Sequence, residues 1–467
     1  MLKLIIFKEL KDIISSSKFA WTFAIISFLT IMVFYVSGKN YELQQRRYEA
    51  GLAENTRQMQ GITDWLQIKH HIYLPPDPLY TLVNGIDNDI GRNTEMFGVG
   101  ELVSDDSRYM EDPLFATFRF LDLRFLFVII FSLFAIMFGY NMINGEKESG
   151  TLKLVFANSI PKDTFVLGKM IGAISAIAIP VLLPLSIGSL LLIFMGIPME
   201  AESWLRLAFI NFAGILLFVF FLVLSILFSA LTKKSSWSFL YMIVIWIFFV
   251  LIWPRSSVLI SGRAVDVPSV DEVAYQKAAF QSQLWQEDRK KMNNYKPDTQ
   301  DMSKMMEDFQ KFMAEISDER NTKMAEYSQR LNQERQNRQV IQESTAFWVG
   351  RLSPVTEFAL AAMQLAGTNI DLKNRYREEA KRYQETYAGF LKQHTGGPLP
   401  GGGIVMRMVG EEEPEPIDPS ELPVYQFKKS SLSEDMSKAA IDFGLLISFI
   451  LVGFASSVWA FSRFDVR

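Results

Sequence analysis

The chain has 467 residues, no cysteine, three histidines and a formal charge of −4. Its two longest polar stretches, 38–120 and 254–438, are acidic rather than basic, which argues against the positive face that nucleic acid requires. Without cysteine, and with two of the three histidines adjacent, the usual ligands of a structural zinc site are missing. The apolar residues gather into six runs, 19–37, 123–140, 171–195, 207–231, 237–253 and 439–461. Each is near the roughly twenty helical residues that cross a hydrocarbon core. Only helices or closed barrels satisfy the backbone in lipid, and these runs lack the alternation of barrel strands. The pattern predicts an all-α polytopic membrane protein with six transmembrane helices, an amphipathic N-terminal interfacial helix and a mainly helical extracytoplasmic region.

In residues 1–18, Leu2, Ile6, Leu10, Ile13 and Ile14 recur at helical spacing, with Lys3, Lys8, Glu9, Lys11 and Asp12 mostly opposite. This suits a helix lying in the membrane interface. The first span, 19–37, is too long for a signal-peptide core and no small-x-small cleavage site follows, so it reads as retained. Residues 38–120 form the first extracytoplasmic segment, with a helical start at 41–59 and a proline-rich loop, "YLPPDPLY". Adjacent His70 and His71 in "IKHHIY" read as a surface pair, because neighbouring side chains serve one metal ion poorly.

Spans two to five occupy 121–253. Asp122 and Arg124 at the edge of the second span read as interface anchors. Asn141 and, in the fourth span, Asn211 are candidates for hydrogen bonds between helices. Pro180 and Pro184 should kink the third span, shaping a path or helix packing. Residues 254–438 form the largest soluble region. There Met302, Met306, Phe309, Met313 and Ile316 step by three and four, which predicts one arm of a helical hairpin with 275–292 or 375–393 as the other. Residues 394–423 contain "HTGGPLPGGG" and an acidic, proline-rich run and read as flexible. The sixth span and tail occupy 439–467, where Asp442 near the outer edge of the span reads as another anchor.

Lysine and arginine set the orientation. Lys3, Lys8, Lys11 and Lys18 fall on one side with Lys147, Lys153, Lys162, Lys169, Lys233, Lys234, Arg463 and Arg467, whereas the connection 196–206 holds one arginine and two glutamates. The positive-inside bias places both termini in the cytoplasm of a plasma membrane, or of the inner membrane in a two-membrane cell.

Between the second and third spans, residues 144–170 carry "NGEKESGTLKLVFANSIPKDTFVLGK". Gly150 and Thr151 suit a local break and a helix start, and Pro161 a second turn. A short acidic helix parallel to the membrane is a suitable shape for docking a cytoplasmic partner. This stretch resembles the signature loop of the permease subunits of ABC-2-type exporters, E-x-E-x-G-T-L, an apolar helix, Pro with a basic residue, then apolar-G-K. The matching positions are Glu146, Glu148, Gly150, Thr151, Leu152, Pro161, Lys162, Gly168 and Lys169. "LDLRF" before the second span and "RLSPVTEFALAAMQLAGT" before the last resemble the subgroup with large extracytoplasmic insertions, linked to multicopper-enzyme maturation.

The resemblance implies a permease that couples through Glu146, Glu148, Gly150, Thr151 and Leu152 to a separate P-loop ATP-binding subunit. ATP and magnesium belong to that partner, because "LGKM" at 167–170 lacks the earlier glycine and the hydroxyl of a P-loop. It further implies a second permease subunit, identical or paralogous. Membrane lipid and an extracytoplasmic partner complete the expected contacts, and no cofactor or catalytic residue is assigned to this chain. Two rival readings are a membrane-anchored sensor or scaffold with a helical extracytoplasmic binding domain, and a membrane enzyme. The first lacks a sizeable cytoplasmic output domain, and the second lacks a recognisable set of acid, base or nucleophile.

Overall fold

The computed structural model describes residues 1–65, 68–88, 90–96, 104–105, 121–157, 160–295, 302–395 and 416–463. It forms two compact units, Met1–Val250 with Pro354–Arg467, and Leu251–Ser353. Six helical stretches are long and apolar enough to cross a membrane: Ser17–Met59, Leu123–Glu148, Lys162–Phe194, Ala201–Leu231, Ser235–Ala264 and Leu432–Ser462. The chain is therefore an all-α, multi-pass membrane protein.

In the first unit, α1 (Leu2–Ile14) turns at Ser16, whose hydroxyl accepts the Phe19 N–H at 3.2 Å and caps α2 (Ser17–Met59). At 1.5 Å per residue, α2 is about 65 Å long, roughly twice the hydrocarbon thickness. The helix runs without a break past residue 37. Gly38 does not break the helix, because α2 packs there against the end of the third span, where a Cβ would lie 2.7 Å from Met195. The first span and the helical start of the next segment are one element.

Beyond α2 lies a small antiparallel sheet that the sequence reading did not anticipate: β1 (His70–Tyr73), β2 (Asn93–Met96) and β3 (Ser104–Asp105), in that order. The register pairs His70 with Met96 and Thr94 with Ser104. Strands this short carry too little period-two pattern to be seen beside helices. Between β1 and β2, the proline-rich loop leads into α3 (Pro78–Leu82), capped by Asp77, which accepts the Leu79 N–H at 2.8 Å.

The second span enters through α4 (Leu123–Phe125) and a π-helical turn, Leu126–Phe131, and continues as α5 (Ser132–Gly139). Asp122 is a buried N-cap rather than a surface anchor, accepting the N–H groups of Phe125 (2.7 Å) and Asn84 (3.1 Å). Two short helices follow, α6 (Asn144–Glu148) and α7 (Thr151–Phe156), and then the long spans α8 (Lys162–Phe194) and α9 (Ala201–Leu231). α10 (Ser235–Ile247) opens the fifth span.

The core of this unit forms around α9, which packs against α5, α14 (Pro354–Ala366) and the sixth span, α16 (Leu432–Ser462). Small residues set the approach distances. A Cβ on Gly139 would lie 2.6 Å from Ser225, and one on Gly214 would lie 2.4 Å from Phe127. Lipid is as apolar as a leucine side chain, so such close packing, rather than hydrophobic burial, holds spans together. α14 is too short to span, yet its Phe358, Ala361, Ala362 and Leu365 are fully buried in this core.

A second core joins β1 and the end of α2 to α15 (Asp371–Thr395) through Met59, Ile72, Tyr383, Tyr387 and Leu391. His70 is buried at its centre, not on the surface. Its Nδ1 faces the Asn55 amide nitrogen at 3.2 Å and its Nε2 faces the Tyr383 hydroxyl at 2.7 Å. The Tyr383 hydroxyl itself donates to the Pro423 carbonyl, also at 2.7 Å. The Asn55 amide is held in that orientation by donating to the His71 carbonyl and accepting the His71 N–H. This arrangement suits the neutral ring, and burial, with His71 alongside, pushes the His70 pKa down to about 4. His71 lies on the opposite face of β1, so the two rings share no ligand position.

In the second unit, α11 (Trp253–Ala264), α12 (Val270–Asn293) and α13 (Met302–Gly350) pack side by side. α13 is about 75 Å long. Of the two expected hairpin partners, the segment near 275–292 is the one that pairs with it. Phe280 stacks on Tyr327 at 4.1 Å, Arg320 pairs with Asp288 at 2.8 Å, and the Arg320 guanidinium lies over Trp285 at 4.0 Å. Ile316 is buried and Phe309 and Met313 half-buried, as a core stripe requires, whereas Met306 is exposed; the side chain of Met302 lies outside the described residues. Most of the stretch expected to be flexible, residues 396–415, also lies outside them. In its last part the Ile417 N–H donates to the Ile62 carbonyl at 2.9 Å.

The His70 site predicts an acid-sensitive fold. Between about pH 6.5 and about pH 4 the unfolded chain binds a proton that the native ring refuses, so stability falls as pH is lowered through that window. The full shift corresponds to about 3 kcal/mol. Melting curves of the whole chain in detergent should show a steeper loss between pH 7 and pH 4.5 for the native sequence than for His70→Gln; parallel losses would remove His70 as the cause.

Candidate coupling site

The loop between the second and third spans is built by one backbone constraint and three clamps. Gly150 sits in the left-handed region at φ +73°, ending α6 and turning the chain into α7. No atom lies within 4 Å of a Cβ placed there, so the conformation alone calls for glycine. After α7, residues 158–159 lie outside the described residues, and Pro161 in an extended conformation opens α8.

The first clamp is polar and faces the end of α9. Asn144 is fully buried; its side-chain amide donates to the Thr232 hydroxyl at 2.9 Å, and the backbone N–H groups of Ile143 and Asn144 donate to the Ser229 hydroxyl. Lys147 reaches the same helix end, donating to the carbonyls of Ala230 at 2.5 Å and Thr232 at 3.1 Å. A cation on the last carbonyls of a helix satisfies acceptors that have no intrahelical partner.

Glu148 makes the second clamp. Its carboxylate accepts both the backbone N–H (2.8 Å) and the hydroxyl (2.9 Å) of Ser235, the first residue of α10. A carboxylate at a helix N-terminus is favoured by the helix dipole.

The third clamp is an ion cluster. Glu146 pairs with Lys169 of α8 at 2.9 Å and with Lys8 of α1 at 3.1 Å, and Lys169 also pairs with Glu9 of α1. The Lys169 side chain is 3% exposed, Glu9 9% and Glu146 13%. α1 can lie this close to α8 because Gly168 and Gly172 face it. A Cβ on Gly168 would lie 2.8 Å from Ile5, and one on Gly172 would lie 2.7 Å from the Glu9 Cβ. Lys169 was legible as part of the G-K motif, but its pairing with Glu9 was not. The available signal was the G-x-x-x-G spacing of 168 and 172, which invites a close helix neighbour, with Glu9 among the charged residues of α1.

The five residues expected to meet a partner thus divide. Glu146 is turned toward the chain's own helices, Glu148 is exposed but hydrogen-bonded to Ser235, and Leu152 is buried on the inner side of α7. Gly150 and Thr151 are exposed, joined by Ser149, Lys153 and Leu154, the last at 71%. The four candidates for a pathway or helix packing are scattered rather than gathered. Asn141 lies in the turn between α5 and α6, where its carbonyl accepts the Gly145 N–H at 2.9 Å. Pro180 and Pro184 are buried within α8, which continues through both. Asn211 is half-buried on α9, and its side-chain oxygen has no hydrogen-bond partner among the described residues.

Residues 4–312 match the model of a family described as ABC-2 family transporter protein. The match begins in α1, includes all three clamps and spans five of the six membrane helices. No curated protein matches the chain.

The ion cluster gives a graded prediction. Lys169→Ala leaves Glu9 and Glu146 buried without their shared cation and should cost about 3–5 kcal/mol, whereas Lys8→Ala, at an exposed lysine, should cost under about 1 kcal/mol. Because the native chain has no cysteine, a single Ile5→Cys thiol reports whether α1 leaves α8. It should be shielded from a maleimide in the native background and in Lys8→Ala, and label readily in Lys169→Ala. Equal shielding in all three would show that the cluster does not hold α1.

Proposed function

The chain belongs to the ABC-2 transporter family, and from that premise we propose that it is the permease subunit of an ATP-driven exporter in which the outward face of α7 receives the ATP-binding subunit. As a family member it is a membrane permease component of an ABC transporter, and the family implies partnership with an ATP-binding subunit. The observation that carries the finer reading is the contrast within one loop. Thr151, Lys153 and Leu154 are presented outward, while Asn144, Glu146, Lys147 and Glu148 bind the same loop to α1, α8, α9 and α10.

In this reading Glu146 and Glu148 do not touch the partner. They make the loop a rigid lever, so that displacing α7 displaces the spans clamped to it. ATP and magnesium bind the partner subunit, and closure of two such subunits shifts two facing permeases, identical or paralogous, between states. Energy enters only as differential affinity for those states. Both termini and the 144–170 loop are cytoplasmic and the membrane is the plasma membrane. The Lys8–Glu146 contact and the clustering of lysines on that side support this orientation. The long helices beyond the spans support the reading that the protein is of the subgroup that carries large extracytoplasmic insertions.

Leu154→Asp should weaken co-purification of the ATP-binding subunit at least about tenfold, equivalent to about 1.4 kcal/mol, with an unchanged melting temperature, because the side chain is already exposed. Glu148→Ala should preserve that association and instead lower transport-linked ATP hydrolysis. Unchanged association for Leu154→Asp, with loss for Glu148→Ala, would return the docking role to the glutamates.

A further inference from the structure

At the end of the spans opposite the coupling loop, where α9 and α16 begin, the first unit forms a cavity of about 590 Å³ that opens to the surface. This size lies within the range of small-molecule sites. Its walls are charged, and most of those charges are already neutralised. Arg206 is saturated by Glu202 at 2.9 Å, Asp435 at 2.7 Å and the carbonyls of Leu365 and Ser430. Lys429 pairs with Asp77 at 2.5 Å, Glu434 with Lys438 at 3.1 Å and Glu379 with Arg382 at 3.1 Å.

Two polar groups on the wall stand apart from this pairing. Arg375, half-buried on α15, makes no ion pair or hydrogen bond among the described residues, and its Nε is shielded from solvent. Tyr80 of α3 is 4% exposed and lines the cavity, yet its hydroxyl has no hydrogen-bond partner among the described residues. Burial, with Asp77 nearby, raises the Tyr80 pKa, so the hydroxyl stays a donor across the physiological range. The Arg375 Nε, shielded from solvent and without an acceptor, is costly unless a ligand supplies one, and the Tyr80 hydroxyl lines the same space. Lys428 adds an exposed cation, and two helices of 31 residues direct their N-termini to the same wall. Against these stands Glu200, exposed at the N-cap of α9.

We propose that this cavity binds a phosphate-type oxyanion carried on a larger molecule, held by the Arg375 guanidinium, the Tyr80 hydroxyl and Lys428. Donors from three separate elements suit a tetrahedral anion, and a planar guanidinium offers it two parallel N–H groups. The volume exceeds what phosphate alone fills, so the natural ligand is a phosphoester. It comes either from a lipid headgroup of the adjacent leaflet or from a soluble phosphorylated compound. The site is independent of the docking role assigned to α7.

The test uses the whole chain purified in a neutral detergent and titrated calorimetrically with glycerol 3-phosphate and with dihexanoyl phosphatidic acid, using sodium chloride of matched ionic strength as the blank. Saturable binding of one or both is expected. Binding of the lipid alone identifies the leaflet as source, and binding of both identifies the phosphoester group itself as sufficient. Arg375→Gln should weaken binding at least about tenfold, Tyr80→Phe and Lys428→Ala about threefold each, and Arg375→Lys should recover part of the loss. If Arg375→Gln fails to fold, Tyr80→Phe and the exposed Lys428→Ala carry the same comparison. No saturable binding of either probe, or binding that none of the variants weakens, would overturn the assignment.

Discussion

A buried ammonium between two carboxylates is the constraint on which the loop side of this protein depends. Lys169 sits near the start of a membrane helix with almost no access to water, and an isolated charge there would be prohibitively costly. Glu9 and Glu146 neutralise it from two other elements. The cost of leaving any one of the three unpaired fixes α1 and α6 against α8 where apolar contact alone is limited, because several of the apolar side chains of α1 are exposed. Met1, Leu4 and Phe7 face outward, where bilayer is the expected neighbour. The two glycines of α8 are the steric counterpart of the same arrangement, allowing the helices close enough for the charges to meet.

The remaining clamps follow similar rules. Helix ends in or near lipid leave carbonyls and N–H groups that cannot rely on water, and this loop supplies them: Lys147 to the end of α9, Glu148 to the start of α10, and Asn144 to both. The polar residues of a loop that reads as a docking motif are thus largely consumed in holding it. What is left for a partner is a short, mostly small or apolar surface. A rigid loop of this kind transmits displacement; a loosely held one would absorb it.

Much of the fold was legible because lipid imposes a strong pattern. Six long apolar runs cannot be anything but spans, and the G-T-L offset from paired glutamates marked the loop. Physical reasons account for the misses. The continuity of α2 through Gly38 was hidden because a glycine in a helix breaks it only when nothing rewards the close approach that glycine permits, and Met195 does so here. The sheet was hidden by strands of four residues or fewer. His70 was assigned to the surface because its partners, Asn55 and Tyr383, are distant in sequence. The partners of Glu146 were hidden for the same reason: motif spacing identifies the residue but not what it pairs with, and Lys8 and Lys169 lie on different helices.

The central claim is that the exposed face of α7, rather than the glutamates of α6, meets the ATP-binding subunit. The most direct measurement places a photoreactive side chain at Thr151, at Leu154 and, as comparison, at Glu146, irradiates intact cells and identifies the cross-linked proteins by mass spectrometry. The account predicts capture of a P-loop ATPase from positions 151 and 154 and self-cross-links to α1 or α8 from position 146. Capture of the ATPase from position 146 alone, or of no ATPase from any of the three, would contradict it.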